Sequence, residues 1–306
     1  MGIRESYGEA LAEIGDEFKD IIVMDADLSG STKTSVFAKK FPERFFNMGI
    51  AEADMIGTAA GLAAAGKIPF ASTFAIFAVG KAFEQVRQSI AYPNLNAKIV
   101  STHAGVTVGE DGGSHQAIED ISLMRSLPNM TVVVPGDGVE TKQVIRAVAE
   151  YKGPVYVRGA RNKYPKLYDN THEFKIGKAT VMREGTDATV IACGFMVGQA
   201  VKACDILKEK GHDVGLINMA TIKPIDKDAI INAAKQSGAI VTAEEHSIIG
   251  GLGSAVAEVL GENYPCKMKR VGIMDMFGKS GPANELVEKY GLTPDDIVAA
   301  VLKLVS

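Results

Sequence analysis

Residues 47–77, NMGIAEADMIGTAAGLAAAGKIPFASTFAIF, hold the features around which the rest of the chain is organised. One carboxylate, Glu52, stands before a run of glycines and alanines, and two phenylalanines, Phe74 and Phe77, stand at its end. A helix that begins near Ala51 places Glu52 in its first turn, where the helix dipole favours an ionised acid. Alternatively, the small-residue surface allows another subunit or a flat cofactor to approach Glu52. These residues alone favour the first interpretation.

Length and composition narrow the class of protein. The 306 residues predict two domains, and 46% hydrophobic residues with 32 glycines are typical of a buried α/β core with tight turns. A net charge of −4 offers no basic surface for nucleic acid. We expect no membrane span and no signal peptide, because the apolar runs are too short. The cysteines Cys193, Cys204 and Cys266 form no CxxC pair, which is typical of reduced thiols in a cytoplasmic protein.

Apolar runs alternate with helical patterns in both halves of the chain, which predicts an α/β fold with two doubly wound domains. In the first half the apolar runs are typical of parallel strands buried on both faces. We expect helices over 75–92 and 116–126, among others. A polar segment with prolines interrupts the alternation. We therefore predict a first domain over residues 1–165, a linker over 166–180 and a second domain over 181–306.

The loop from His103 to His115, HAGVTVGEDGGSH, carries the strongest local signal of chemistry. It follows a buried strand and holds two of the five histidines together with an acidic pair. Ordering so many glycines costs conformational entropy, which favours a function, and histidine titrates near neutral pH. The alternative is a solvated surface loop, and sequence physics does not separate the two. The spacing fits no usual zinc pattern.

Two arginines are candidates for binding an anion, and other motifs are expected to be structural. Arg158 ends a strand, where its fork of donors can bind an anion, although a surface ion pair is the commoner role. Arg4 is a weaker candidate of the same kind. We interpret Gly136-Asp137-Gly138 as a capped turn. Gly250-Gly251-Leu252-Gly253 falls short of a dinucleotide fingerprint. The preceding residues 244–246, Glu-Glu-His, indicate either a site or an interface, and we favour the interface.

Motifs along essentially the whole chain resemble those of the transketolase family of thiamine diphosphate enzymes. The motifs are ADLSGS (26–31), NMGIAEADM (47–55), STFAIF (72–77), STHAGVTVGEDGGSHQ (101–116), VRG (157–159), IKPID (222–226) and EEHSIIGGLGSA (244–255). They cover only the C-terminal half of a full transketolase. The resemblance implies a pyrimidine-binding thiamine diphosphate fold followed by a fold like the transketolase C-terminal domain.

The resemblance also implies roles in binding the cofactor. Glu52 matches the catalytic glutamate that hydrogen-bonds the ring nitrogen of the aminopyrimidine and so promotes loss of the thiazolium proton. Phe77 matches the aromatic residue that stacks on the pyrimidine, and Phe74 matches a second wall of the pocket. Gly80 stands where transketolases commonly carry a third aromatic residue. With these matches, the second interpretation of Glu52 becomes the favoured one.

Substrate contacts follow from the same resemblance. His115 matches a histidine that lies near the donor hydroxyls and assists proton transfer. Asp111 matches an acid that recognises a sugar hydroxyl. The residues that match the cluster around the substrate phosphate are Arg4, Ser31, His103 and Arg158. Their donors suit an oxyanion even on a protein of net charge −4.

The matched region lacks the usual site for the diphosphate and its divalent metal, which implies a split enzyme. We predict that an N-terminal transketolase subunit holds Mg or Ca and grips the diphosphate, so that this chain binds no metal. We expect a heterotetramer, with self-association through both domains and a contact surface on the small-residue face after Glu52.

The predicted reaction is transfer of a two-carbon ketol unit from a ketose phosphate to an aldose phosphate, in the pentose phosphate pathway. One alternative is the beta subunit of a 2-oxo acid dehydrogenase decarboxylase component, and another is a non-catalytic assembly subunit. The loop from His103 to His115 together with Arg158 favours sugar phosphates over the first alternative. The joint presence of Glu52, Phe77 and His115 argues against the second.

Overall fold

The structure, a computed structural model, describes residues 2–305 and contains two β-sheets with helices packed on them. The strands of the first sheet are β1 (Ile21–Asp25), β2 (Phe45–Asn47), β3 (Ile68–Phe74), β4 (Lys98–Thr102), β5 (Thr131–Val133), β6 (Val155–Arg158) and β10 (Thr221–Lys223). Their order across the sheet is β10-β5-β6-β4-β3-β1-β2. The pairs are parallel except that β10 runs antiparallel to β5. The second half of the chain therefore contributes an edge strand to the first sheet.

The second sheet has the same mixed character. Its strands are β7 (Thr180–Arg183), β8 (Ala188–Ala192), β9 (Val214–Asn218), β11 (Ala239–Ser247) and β12 (Lys267–Ile273), in the order β12-β11-β8-β9-β7. Only the pair β7 and β9 is antiparallel among these described strands. Every residue of β8 and β9 is buried, as expected for parallel strands covered on both faces. The predicted α/β fold with two largely parallel sheets is confirmed.

Amphipathic helices cover the sheets. They are α1 (Ile3–Ile14), α2 (Ser29–Thr32), α3 (Ser35–Lys40), α4 (Glu52–Ala64), α5 (Phe83–Gln85), α6 (Asp120–Ser126), α7 (Gly138–Glu150), α8 (Phe195–Glu209), α9 (Lys227–Ser237), α10 (Leu252–Asn263), α11 (Ala283–Lys289) and α12 (Pro294–Val305). Helix α1 illustrates the pattern, because Tyr7, Leu11 and Ile14 share one face and pack in a core with Val144 and Val148 of α7. Burying such a side chain stabilises the fold by about 1.5–3 kcal/mol.

Two helices differ from their predicted extents. The helix predicted over 75–92 is interrupted, since π-helical turns at Phe77–Lys81 and Val86–Ala91 flank the short α5. The helix predicted over 116–126 begins only at Asp120. Residues before it pair instead with the start of the glycine-rich loop, where the Gly105 amide donates to the Ala117 carbonyl over 2.8 Å. Strands β7 and β10 were not predicted, because three or four residues carry too little periodicity.

The candidate residues collect at one edge of the first sheet. Strands β1, β3, β4 and β6 are parallel, so their carboxyl ends lie together. Phe74 ends β3, His103 follows β4 and Arg158 ends β6. Helix α4 begins at Glu52, shortly after β2 ends at the same edge. Ligands of open α/β sheets bind at this edge, which directs attention to these side chains.

The three cysteines form no disulfide. Cys193 and Cys204 are buried and Cys266 is half-buried, and all three are free. Burial raises the pKa of the Cys204 thiol to about 11, so it stays protonated and unreactive near neutral pH. Within residues 2–305, the helices are either too short or too polar to cross a bilayer.

Candidate active site

Glu52, Phe74, Phe77, His103 and His115 lie together at the carboxyl edge of the first sheet and are called the rim cluster. The Phe74 ring stacks on the His103 ring with 3.8 Å between centroids, and on the Phe77 ring at 6.0 Å. His115 meets the Phe77 ring edge-on at 5.3 Å. Phe74 and His103 are buried, whereas Phe77 and His115 are half-buried. The structure therefore brings together the aromatic and histidine residues that the sequence singled out.

Glu52 carries a buried carboxylate with an exposed partner. The residue is 2% exposed, and its Oε2 accepts a hydrogen bond from Lys81 Nζ over 2.6 Å. The Lys81 side chain is 53% exposed, and its Nζ lies 5.5 Å from the centre of the Phe77 ring. A hydrogen-bond donor that carries positive charge therefore lies against both Glu52 and the face of Phe77. The position of Glu52 in the first turn of α4 adds the helix dipole to this stabilisation.

One wide helical turn carries both Phe77 and Lys81, whose side chains lie close together. Phe77–Lys81 form a π-helical turn, which takes more residues than an α-turn and is frequent at functional sites. Gly80 lies on the exposed side of this turn, and a side chain there would meet only Ile76, at 3.8 Å. The space around Gly80 is consequently open on this side of the helix.

His103 is held in an unusual backbone conformation and stays neutral. Its φ is +58°, in the left-handed region that non-glycine residues rarely adopt. Burial lowers the pKa of His103 to about 3, with further lowering by Arg4, Arg161 and His115. Its Nδ1 lies 2.8 Å from the Thr102 hydroxyl. Near neutral pH, His103 offers an uncharged donor or acceptor in the rim cluster.

Cationic groups flank the rim cluster, including one that sequence reasoning missed. Arg4 Nη1 donates to the Ser31 carbonyl over 3.2 Å, so these two candidates adjoin. Arg161 is the missed residue: its side chain is 35% exposed, and its Nη1 lies 3.6 Å from Asp111 Oδ2. Both arginines influence the titration of His103, which places their charges near it. The position of Arg161 was a signal, since it lies three residues beyond Arg158 in the segment that follows β6.

Arg158 points away from this cationic group and is buried inside the chain. Its side chain is 4% exposed, and Nε donates to Asp120 Oδ2 over 2.7 Å. Its Nη2 donates to the Ala117 carbonyl and to the Glu245 carbonyl, over 3.3 and 2.9 Å. We expected Arg158 in the phosphate cluster with Arg4, and the structure does not bring the two side chains together. Alternation along β6 directs Arg158 into the interior, where Asp120 neutralises it.

The surroundings of Arg158 form a polar cluster beneath the rim, called the buried network: Tyr156, Arg158, Asp120 and Glu245. Tyr156 Oη donates to the same Asp120 oxygen that pairs with Arg158, over 2.7 Å. Burial raises the pKa of the Tyr156 hydroxyl well above its usual value. Burial also raises the pKa of Glu245 to about 7. The network joins the first sheet to β11 of the second.

The glycine-rich segment 103–116, called the histidine loop, is ordered and mostly buried. The Gln116 side-chain amide donates to the Gly109 carbonyl over 3.1 Å, and Asn162 Nδ2 donates to the Thr107 carbonyl over 2.9 Å. Residues Val106–Asp111 form 3₁₀ turns. The alternative of a solvated surface loop is therefore wrong, because side chains from other parts of the fold hold this backbone in place.

Two motifs have structural roles. Asp137 caps α7 by accepting from the Glu140 amide over 2.8 Å, which confirms the predicted capped turn. Glu244 accepts from the Leu252 and Gly253 amides and thereby caps α10. The interface predicted for Glu244, Glu245 and His246 is wrong for a contact with another chain, because all three are at most 2% exposed. They lie where the two halves of this chain meet.

Metal-binding groups are not concentrated at the rim. Across residues 2–305, His, Cys, Asp and Glu side chains form no group of three or more that would hold a metal ion. Asp111 is exposed and pairs with Arg161. The carboxylates near the site are thus engaged by cations of the protein itself.

Comparison with known proteins identifies the family. The model of the transketolase pyrimidine-binding domain matches residues 1–166, and that of the transketolase C-terminal domain matches residues 177–297. A protein of Methanocaldococcus jannaschii described as a putative transketolase C-terminal section is 54% identical over 305 residues, covering 99% of this chain and 96% of that protein. Rat transketolase is 36% identical over 310 residues, covering 100% of this chain but 49% of the enzyme.

A solved structure agrees with both sequence comparisons. A split gene transketolase, described as an inactive beta4 tetramer, superposes with a TM-score of 0.94 and 54% identity, covering 100% of this chain and 98% of that one. Both domain models, the sequence relatives and this structure agree along almost the whole chain. The chain is therefore a member of the transketolase family.

Proposed function

We propose that this chain is the C-terminal subunit of a two-component transketolase that moves a two-carbon ketol unit from a ketose phosphate to an aldose phosphate. The observation that carries the proposal is the buried Glu52 carboxylate, which pairs with an exposed lysine whose ammonium also lies over the Phe77 ring. A buried acid beside a site open to solvent is typical of a group that works on a bound molecule. The position of this chain in the transketolase family supports the type of reaction.

The residues present fit the aminopyrimidine part of thiamine diphosphate. Lys81 Nζ donates to Glu52 Oε2 over 2.6 Å and lies 5.5 Å from the centre of the Phe77 ring, so the Glu52 carboxylate can accept a hydrogen bond from a donor that lies over this ring. The ring stack of Phe74 and Phe77 offers a flat apolar wall, and Gly80 leaves the neighbouring space open. The Lys81 side chain is 53% exposed, so its ammonium can move into water when another donor takes its place against the buried Glu52 carboxylate.

The bound cofactor would supply a carbanion equivalent at its thiazolium carbon. The Glu52 carboxylate would hold the aminopyrimidine ring by accepting a hydrogen bond from its protonated ring nitrogen. Phe74 and Phe77 would orient the ring and exclude water, which strengthens the contact with Glu52. Glu52 thus controls the proton that the cofactor needs in order to become active.

His115 and His103 would serve the sugar rather than the cofactor. His115 is half-buried, and its Nδ1 lies 3.0 Å from the Ser114 hydroxyl, so its Nε2 is the nitrogen available to a substrate hydroxyl. We propose that His115 moves a proton at that hydroxyl. His103 is neutral and buried, and would donate or accept one hydrogen bond without adding charge.

Arg161 and Arg4 are the better candidates for the substrate phosphate. Arg161 is partly exposed beside Asp111, and Arg4 lies beside Ser31 at the same rim. A guanidinium binds a phosphate with paired charge-assisted hydrogen bonds. Asp111 would then recognise a sugar hydroxyl next to Arg161. We do not retain Arg158 as a phosphate ligand, because its donors bind Asp120 and backbone carbonyl groups. It would only support the site from beneath the rim.

A separate N-terminal subunit would complete the site, holding the diphosphate and a divalent metal such as Mg or Ca. The chain covers 49% of rat transketolase and 96% of the Methanocaldococcus jannaschii protein described as a putative transketolase C-terminal section, which supports a site shared between two subunits. Helix α4 offers a surface for that subunit, because Gly57 and Gly61 are exposed and nothing lies within 4 Å of where their Cβ atoms would be. We propose a heterotetramer that includes contacts between copies of this chain.

The direct test is to mix this chain with its N-terminal subunit and assay with xylulose 5-phosphate and ribose 5-phosphate in a coupled assay. We expect activity only when both subunits, thiamine diphosphate and a divalent metal are present. The matched control replaces the sugars with pyruvate and an artificial electron acceptor, the assay of a 2-oxo acid decarboxylase. Turnover of pyruvate without ketol transfer would contradict the proposal, and so would inactivity with every sugar phosphate pair.

A further inference from the structure

We propose that the second domain acts on the reaction through Glu245, a positioning residue that fixes the histidine loop and with it His103 and His115. The kinetic part of this inference rests on the proposed ketol transfer. Glu245 lies on β11 of the second sheet, whereas the loop follows β4 of the first. The carboxylate thus links the two sheets at the start of the loop.

The beginning of the loop is shaped around the Glu245 carboxylate. Its Oε1 accepts a hydrogen bond from the Thr107 amide over 2.7 Å. A Cβ atom at Gly105 would lie 2.2 Å from that same oxygen, and the φ of Gly105 is +80°. Glycine is therefore required there both by the backbone conformation and by the closeness of Glu245.

The end of the loop rests on another segment of the second domain. The Gln116 side-chain amide donates to the Lys279 carbonyl over 3.0 Å. A Cβ atom at Gly113 would lie 2.8 Å from the Gly278 carbonyl oxygen. Because both ends are held by the second domain, the ring of His115 is placed relative to β11 as well as to the first sheet.

Glu245 is itself fixed by the buried network. Its backbone carbonyl accepts from Arg158 Nη2 over 2.9 Å, and Arg158 is anchored by Asp120. The second carboxylate oxygen, Oε2, is buried without a hydrogen-bond partner. Burying an incompletely satisfied acid costs free energy, so stabilising the fold does not by itself explain a glutamate here. A role in holding the Thr107 amide explains it.

The first experiment measures the tether in the isolated chain and does not depend on any catalytic function. Amide hydrogen exchange of residues 104–116 is compared in the wild type, Glu245→Ala, Glu245→Gln and the control Glu262→Ala, whose side chain is exposed on α10. We expect faster exchange in Glu245→Ala confined to the loop. Glu245→Gln keeps an acceptor oxygen and should retain most of the protection. Unchanged loop exchange in Glu245→Ala, or exchange raised equally throughout the chain, would overturn the inference.

The second experiment uses the complex with the N-terminal subunit. We expect Glu245→Ala to lower kcat about 10- to 100-fold, the size of effect that a displaced catalytic group produces. The affinity for thiamine diphosphate should be unchanged, because Glu52 lies on α4, outside the loop. We expect Glu245→Gln to restore most of the kcat. A kcat for Glu245→Ala equal to that of Glu262→Ala would overturn the inference. If the wild-type complex lacks ketol transfer, the proposed function fails, and the exchange experiment still decides the tether.

Discussion

The rim cluster and the buried network each hold a buried charge near the edge of the same sheet, yet they differ in the partner of that charge. Glu52 is 2% exposed, and its partner Lys81 has a side chain that is 53% exposed. The Arg158 side chain is 4% exposed, and its partner Asp120 is completely buried. One pair can open toward a ligand and the other cannot. The accessibility of the partner, more than the burial of the charge, separates the group that we propose to act in catalysis from the structural one.

Energetics follow the same division. Exchanging the exposed ammonium of Lys81 for another donor leaves the buried Glu52 carboxylate with a hydrogen-bond partner, so no buried charge is left unpaired. Removing one member of a buried pair leaves an uncompensated charge and costs about 3–5 kcal/mol. Substitutions in the rim cluster should consequently alter function with little loss of stability. Substitutions in the buried network should lower stability with little effect on function. Glu245 is the exception, because it contacts the histidine loop.

The largest effect is expected from Glu52→Gln in the assembled enzyme. The amide cannot take the charge that stabilises the protonated pyrimidine ring, so exchange of the thiazolium proton should slow about 10²- to 10⁴-fold. The exchange is followed by NMR after transfer of the complex into deuterated water. Asp54→Asn, on an exposed position of the same helix, is the matched control. A near-normal exchange rate in Glu52→Gln would remove Glu52 from the proposed role.

Next in size is the loss of stability expected when the buried network is broken. Arg158→Met should lower the free energy of unfolding of the chain alone by about 3–5 kcal/mol, since Asp120 is left buried without its partner. The comparison variant is Arg161→Met, at a partly exposed arginine, and its free energy of unfolding should stay within about 1 kcal/mol of the wild-type value. Urea denaturation of both variants measures the difference. Equal losses would show that the two arginines do not differ as their burial indicates.

A smaller effect distinguishes the two arginines in substrate binding. Arg161→Ala should raise KM for phosphorylated sugars about 10- to 100-fold, which corresponds to losing a charge-assisted hydrogen bond. KM for unphosphorylated sugars should change much less. Steady-state kinetics of the complex with paired substrates makes the comparison, with Arg158→Lys as the variant that keeps the buried charge. An equal effect of Arg161→Ala on both kinds of sugar would mean that Arg161 does not hold the phosphate.

The smallest expected effect is a pH dependence of stability. Burial raises the pKa of Glu245 to about 7, with Arg158 opposing this rise and Asp120 adding to it. The folded chain therefore keeps a proton that the unfolded chain releases near the usual glutamate pKa, so Glu245 makes the fold less stable as pH rises toward 7. Glu245→Gln cannot titrate, and its stability relative to the wild type should improve by about 2 kcal/mol between pH 5.5 and 8. Urea denaturation at several pH values checks this, and a constant difference would contradict it.

Much of this architecture follows from local patterns in the sequence. Strands β3 and β4 pair in parallel, and the carboxyl ends of such strands meet at one edge, which brings Phe74 and His103 together. Helix α4 begins as predicted because Glu52 follows a chain reversal and precedes a run of good helix formers. Local patterns and parallel connectivity predicted the elements that carry the rim cluster, whereas the grouping of its residues in one site came from the resemblance to the transketolase family.

The missed features depend on contacts between residues distant in sequence. Arg158 turns away from the rim and leaves it to Arg161, because Arg158 pairs with the buried Asp120. These two partners are 38 residues apart in the sequence. The structural role of Glu245 depends on an amide 138 residues away. The π-helical turn that presents Lys81 to Glu52 breaks the period that a helical pattern assumes. Such contacts have no local signature, so sequence patterns could indicate candidate charges but not their partners.

The central claim is that this chain carries the pyrimidine half of a thiamine diphosphate site and that a partner subunit carries the other half. Isothermal titration calorimetry of thiamine diphosphate with magnesium, on the chain alone and on its equimolar mixture with the N-terminal subunit, tests this claim most directly. We predict weak binding to the chain alone and tight, metal-dependent binding to the mixture. Tight, metal-dependent binding to the chain alone would contradict the claim.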